Sequence, residues 1–293
     1  MLHTVSKPAR TVLHIASGIA PRIVCGVAAS WALLAAPAIA QTQERLPLWE
    51  VGAFATGVAQ QAYPGASQRI DRALVLPFVI YRGKFLRSED GTVGLRAIKT
   101  DTLEVDVGFG GSFGSNSNDI EARRGMPNLG TLVEFGPRVK WKLGKTPDNG
   151  RLRTDVALRG VFDLTDSFKD KGLALEPELI YENTAPQGWS YSAALGLVLG
   201  DQRLADTFYG VAPAYATLAR PAYQAGAGLI ASRLSMGLSR KLSPELRIFG
   251  FARVASVEGA ANLGSPLVRQ NTGSTIGLGL TYIFARSSVS STD

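Results

Sequence analysis

From residue 103 onward the chain alternates apolar and polar residues with a period of two, over and over. That is the pattern of a strand with two unlike faces. Leu103, Val105, Val107 and Phe109 oppose Glu104, Asp106, Gly108 and Gly110. Val133, Phe135, Val139 and Trp141 oppose Glu134, Gly136, Arg138 and Lys140. Leu152, Val156, Leu158 and Phe162 oppose Arg153, Asp155, Arg159 and Asp163. Leu175, Leu179 and Tyr181 oppose Glu176, Glu178 and Glu182, and the last repeat sets Ile276, Leu278, Leu280, Tyr282 and Phe284 against Thr275, Gly277, Gly279 and Thr281. No segment of comparable length shows helical period. The pattern predicts an all-β protein with strands at 48–60, 72–82, 84–88, 92–100, 102–113, 131–144, 151–164, 172–183, 188–200, 227–242, 245–257 and 273–284. Segments 84–88 and 92–100 are the weakest of the twelve.

The connections carry the second constraint. Short ones (82–84, around Asp101, 144–150, 184–187 and 243–244) fall on one side. Long ones (61–71, 114–130, 164–171, 201–226 and 258–272) fall on the other. That asymmetry predicts a transmembrane antiparallel up-and-down β-barrel of twelve strands, with ten as the alternative, whose short turns and both termini are periplasmic. A secreted β-sandwich alternates in the same way. Three features favour the barrel. The polar face is rich in Gly, Ser and Thr. Aromatics (Trp49, Trp141, Trp189, Tyr191, Tyr282) stand at strand ends, as an interface girdle requires. The final strand closes on Tyr282-Ile283-Phe284, an alternating aromatic ending that serves as a barrel-insertion signal, with nine residues (285–293) following it as a short extension.

The first 40 residues read differently. They hold Lys7, Arg10 and Arg22, no acidic residue, a short apolar run from Ile23 to Ala36, and then Ala38-Ile39-Ala40 before Gln41. This is a secretory leader with an A-x-A site, cleaved after Ala40. The apolar run is short for a membrane span. The leader also contains His3, His14 and Cys25, which are the only histidines and the only cysteine. Without it, 28 Lys and Arg face 24 Asp and Glu, so the formal charge falls from +7 to +4. The basic pI of about 9.6 is therefore a poor argument for nucleic acid, and none is expected as a partner.

A chain without His and Cys cannot run Ser-His-Asp or Cys-His chemistry, nor build a His-ligated metal site. Gly144-Lys145-Thr146 looks like the tail of a phosphate loop, but Val139 stands where the first glycine belongs, so it reads as a turn. The carboxylate pairs Glu104/Asp106 and Glu176/Glu178 lie opposite basic strands, where charge pairing is the expected role rather than glycoside hydrolysis. No enzyme and no cofactor is expected. The inward charges Glu104, Asp106, Glu134, Arg138, Lys140, Arg153, Asp155, Arg159, Asp163, Glu176 and Glu178, with Arg247 and Arg253 on a later strand, fit two readings: a salt-bridged, loop-plugged interior, or a narrow charged pore. A lumen of twelve strands is too wide for side chains alone to fill.

Tyr63-Pro64-Gly65-Ala66, Asp206-Thr207-Phe208-Tyr209-Gly210-Val211, the stretch from Ala222-Tyr223 through Gly226 and Gly228 to Leu229, and Leu242-Ser243-Pro244 together resemble the MipA/OmpV family of outer-membrane proteins. The likeness runs from about 48 to 284. It implies a barrel in the outer membrane, in contact with its lipid. For some members it implies a scaffold joining a lytic murein transglycosylase to a penicillin-binding protein, for which the short periplasmic turns 144–150 and 184–187 are the expected contact surface. A small-solute or ion channel is the first alternative. An adhesin or ligand binder acting through loop 201–226 is the second.

Overall fold

The computed structural model describes residues 46–82, 86–89, 92–95 and 98–290. The leader, including Ala38, Ala40 and Gln41, lies outside them.

Ten long strands form one antiparallel sheet: β1 (Trp49–Gln61), β2 (Arg69–Tyr81), β6 (Leu103–Ser112), β7 (Leu132–Lys145), β8 (Arg151–Asp163), β9 (Lys169–Thr184), β10 (Trp189–Gly200), β11 (Gly228–Lys241), β12 (Leu246–Ser256) and β13 (Thr272–Arg286). β6 to β13 pair in sequence order, and β13 then pairs with β1, and β1 with β2. A first strand hydrogen-bonded to the last is what an up-and-down barrel needs, since closure removes free edges. The two weakest expected strands are shorter than predicted. Segment 84–88 is β3 (Leu86–Glu89), and 92–100 divides into β4 (Thr92–Leu95) and β5 (Ile98–Lys99). β5 joins the large sheet beside β6, while β3 and β4 form a separate hairpin whose two strands lie near β2 and β6.

The alternation reads directly onto the two faces. Val75, Leu195 and Leu278 on the outer face are 60–70 % exposed. So many exposed Val, Leu and Phe side chains are not tolerated by a protein that meets water all round; they suit lipid. Near the short turns the outer face carries Trp49, Trp141, Tyr191, Tyr282 and Phe284, all exposed, with Arg240 over the Trp189 ring at 5.4 Å. Tyr282 and Phe284 both point outward, their rings 5.5 Å apart. The extension beyond Phe284 prolongs β13 to Arg286 and then clasps the start of β1, Leu48 N–H donating to Val289 C=O at 2.8 Å. Both ends of the described chain therefore sit at the short-turn end.

One element was not expected at all. Residues Gln202–Tyr209, read above as loop, form a helix, α1. The Asp201 carboxylate caps it, accepting from Leu204 N–H at 2.9 Å, and Leu204, Ala205 and Tyr209 are buried along one face. These are ordinary helix signals. Eight residues are simply too few for the period to stand out among long alternating strands.

Candidate functional site

The interior between β6 and β9 is an ion-pair network built by register. Antiparallel pairing sets Asp106 beside Arg138 and Glu104 beside Lys140. The Arg138 guanidinium donates to both Asp106 oxygens, at 2.9 and 2.6 Å. Lys140 bridges Asp106 at 2.9 Å and Glu104 at 3.3 Å. On the next strands Arg153 joins Asp155 at 3.0 Å and Glu182 at 2.7 Å. Closer to the long loops, Arg159 reaches Glu176 at 2.7 Å and Glu134 at 3.3 Å, and Arg233 of β11 adds a second contact to Glu176 at 3.3 Å. Asp106, Arg138 and Asp155 are buried. Charges withdrawn from water this far need partners, and here neighbouring strands supply them.

Not every expected lumenal charge joins this network. Asp163 sits at the long-loop rim, where it accepts from the Thr165 N–H and hydroxyl and pairs with Lys171 at 3.3 Å. Arg253 donates to the Ser235 hydroxyl at 3.1 Å. Among the described residues, Glu178 and Arg247 have no ion pair within 4 Å.

The long-loop end is a different material. Its connections carry the largest buried apolar clusters of the described residues. Ala62, Tyr63, Ala66, Ile120, Met126, Leu129, Val211 and Leu267 form one. Val198, Ala205, Tyr209, Ala225 and Ile230 form another. Leu204 of α1 packs on Leu132, Val161 and Ala174, from the inner faces of β7, β8 and β9. The helix thus enters the mouth of the barrel. Phe208 touches all three clusters.

The residues that carry the family resemblance converge on this cap. Tyr209 is fully buried. Its hydroxyl donates to Ile230 C=O at 3.2 Å, and its carbonyl accepts from Ser265 at 2.7 Å. The Asp206 carboxylate accepts from Ala225 N–H at 2.7 Å. Gly210 ends α1, its N–H donating to Asp206 C=O at 3.0 Å. Tyr223 and Val211 exchange backbone hydrogen bonds at 2.8 and 3.0 Å, and Tyr223 touches Asn262 at 3.4 Å. Gly226 is gripped on both sides by the Asn262 amide, at 2.8 Å each. Gly228 opens β11 at a φ of 144°, where a side chain would be strained. Tyr63 donates to Leu267 C=O at 2.7 Å, and burial pushes its phenol up to about 12. Burial likewise raises the Tyr209 phenol.

Sequence reading missed Asn262, Ser265 and two buried arginines of the cap. Arg220 donates to the carbonyls of Ala122, Arg124 and Tyr215 at 2.7–3.0 Å. Arg123 lies over the Tyr63 ring at 5.7 Å, and burial draws its guanidinium down to about 10. Each also reaches a carbonyl of a distant loop, Arg123 that of Phe208 at 3.3 Å and Arg220 that of Ala122 at 3.0 Å, and no spacing announces those.

At the opposite end, one short turn is tied to the end of a neighbouring strand, β9. Tyr181 and Asn183, close to the 185–188 turn, both donate to the Asp148 carboxylate of the 146–150 turn, Asn183 at 3.1 Å. Hydrogen bonding around it draws the Asp148 carboxyl down to about 2.

A curled antiparallel sheet, an apolar outer belt and a loop cap built from these motif residues are thus in place. The family model described as MltA-interacting protein MipA matches residues 51–284. The chain belongs to the MipA family. It is an outer-membrane β-barrel of that family. No curated protein matches it. Similar solved structures include a NanC porin, at 10 % identity over 80 % of this chain and 98 % of that one, with a TM-score of 0.36. Outer membrane phospholipase A from Escherichia coli is similar at 9 % identity over 81 % and 94 %, with a TM-score of 0.32. Neisserial surface protein A is similar at 11 % identity over 80 % and 97 %, with a TM-score of 0.25. At such scores nothing about ligand or activity passes from them to this member of the MipA family.

Proposed function

We propose that this MipA-family barrel is a non-catalytic scaffold of the cell envelope. It would hold a lytic murein transglycosylase, and with it a penicillin-binding protein, at the inner surface of the outer membrane. The reading includes a leader cleaved after Ala40, short turns and both termini in the periplasm, and Tyr282 and Phe284 as the insertion signal. The contact surface is the short-turn rim. The observation that carries it is the bracing of that rim: Asp148 ties the 146–150 turn to Tyr181 and Asn183 at the end of β9, next to the 185–188 turn. A preorganised surface loses less entropy on binding than a loose one. The family name, MltA-interacting protein, supports the partner class. The loop cap across the far mouth supports a scaffold over an open channel.

The test is co-purification of an MltA-type lytic transglycosylase with the detergent-solubilised barrel. Replacing both turns with Gly-Ser linkers is expected to abolish capture while the barrel stays folded. Undiminished capture by the turn-replaced barrel would remove the turns from the interface.

A further inference from the structure

The two walls of the lumen differ in how their charge is balanced. On β6 to β9, Arg138, Lys140, Arg153 and Arg159 each meet a carboxylate at 2.6–2.9 Å. On β11 and β12 this fails at the short-turn mouth. Lys241 and Arg247 stand directly opposite each other in register, both exposed. Among the described residues neither has a carboxylate within 4 Å. The acid of the turn that joins them, Glu245, is held instead by Arg286 and Ser243. Alternation places Lys241 on the inward face with Arg233 and Ser235, and Arg247 with Phe249, Phe251 and Arg253. Farther in, Arg253 is bonded to the Ser235 hydroxyl, and Glu178, Glu176 and Glu134 act on it only at longer range. Two cations face to face repel each other. At a barrel mouth they set up a field that draws anions, as rings of Lys and Arg do in anion pores.

Beside these cations lie flat apolar faces. The rings of Phe249 and Phe54 stack at 5.4 Å with only 5° between their planes. Phe249 lies over Gly279 and Phe251 over Gly277; a Cβ at either glycine would run into the ring. Because β13 offers no side chain there, the rings lie along the wall instead of standing across the lumen. Phe54, Phe249 and Phe251 all remain half-buried, where close-packed interior aromatics would be covered.

We infer that this corner of the lumen binds a small organic anion. Lys241 and Arg247 take its carboxylate, and Phe249 with Phe54 takes a flat apolar face, either a pyranose or an aromatic ring. Entry is from the short-turn end, because the cap lies across the other. The site is independent of the scaffold role, since a barrel that captures no murein enzyme still presents these side chains.

The experiment uses the full chain folded in detergent micelles. Three probes are titrated by ligand-observed NMR: N-acetylmuramic acid, benzoate and the neutral N-acetylglucosamine. Saturable binding of at least one acid is expected, with N-acetylglucosamine weaker by about tenfold or more. The sugar acid alone binding identifies a pyranose site, and benzoate alone an aromatic-acid site. Binding should weaken as potassium chloride is raised, because the charges at the mouth are exposed to solvent. It should fall about tenfold in the Lys241→Gln/Arg247→Gln double variant, several-fold in Phe249→Ala, and little in Arg247→Lys. Heat-modifiable gel mobility reports folding of each variant. Absence of saturable binding of either acid, equal binding of N-acetylglucosamine, or unchanged affinity in the folded double variant would overturn the site. Should that variant not fold, salt-independent binding to the unaltered protein overturns it equally.

Discussion

The molecule has two interiors built on opposite rules. Between β6 and β9 the inward residues are charged, and hydrogen-bonded ion pairs connect strand to strand. In the long loops the interior is apolar and tightly covered, with Ala66, Ala205, Tyr209 and Leu267 at zero exposure. A water-soluble protein would put its apolar residues between the strands. Here the outer strand face meets lipid, so most of the strands' Leu and Val are spent outward. Between β6 and β9 the inward face is left largely to small and charged residues. Only the loops, which return to water, are free to build a conventional core. The two interiors should therefore fail differently: the ion-pair network with the whole barrel, the cap locally.

The largest effect is expected from Asp106→Ala. It strands Arg138 in a buried setting, leaves Lys140 with Glu104 alone among the described residues, and should cost about 3–5 kcal/mol of global stability, as breaking a buried pair does. Urea unfolding of the lipid-reconstituted barrel, followed by tryptophan emission, measures it. A shift confined to the loops would contradict the division. Next, Tyr209→Ala removes the most buried large side chain of the cap, at about 3 kcal/mol. That loss should appear as tryptic cleavage at Arg203 and Arg220, with the strands still protected and the urea midpoint little moved. Loss of barrel stability instead would merge the two interiors into one.

A smaller effect, about 1 kcal/mol, follows from Asp201→Ala, which deletes the α1 N-cap. It should loosen hydrogen exchange in 202–209 alone. At the short-turn rim, Arg151→Ala breaks an exposed pair with Glu182 at 3.6 Å and should change stability by less than about 1 kcal/mol. The smallest change concerns pH. Asp148 is held near 2 in the folded state, below the usual carboxylate value of 3.8. Its contribution is fully present above that usual value and fades as pH falls through about 2. A carbon-detected titration of Asp148 should show no protonation above pH 4, and a midpoint near 4 would mean the rim is not braced.

Much of this was legible from residue order. On β6 to β10 the alternation separates an apolar face, exposed in the structure, from a face of small and charged residues, because a strand's period of two admits no drift. Charge pairing was the expected role of Glu104, Asp106, Glu176 and Glu178; the first three meet a basic side chain at 3.3, 2.6 and 2.7 Å, and Glu178 has no such partner within 4 Å among the described residues. Register supplied the partners, since sequential antiparallel strands joined by short turns place predictable residues side by side. The cap was not legible. Asp201 and the Leu204/Ala205/Phe208/Tyr209 face announce a helix only to a reader already looking for one. Asn262 closing on Gly226, and Arg220 on Ala122, join residues 36 and 98 positions apart.

By itself, then, the sequence determined the ten long strands and their two unlike faces, but not the short strands between β2 and β6. The long strands and their faces follow from local periodicity and short connections. The tertiary structure alone decided three things: that the long loops fold into an apolar cap with α1 in the mouth, that Asp148 ties the 146–150 turn to the end of β9, and that Lys241 and Arg247 face each other with no acid among the described residues within 4 Å. Each depends on contacts between segments far apart in the chain. Such contacts form only once the sheet has curled and brought them together.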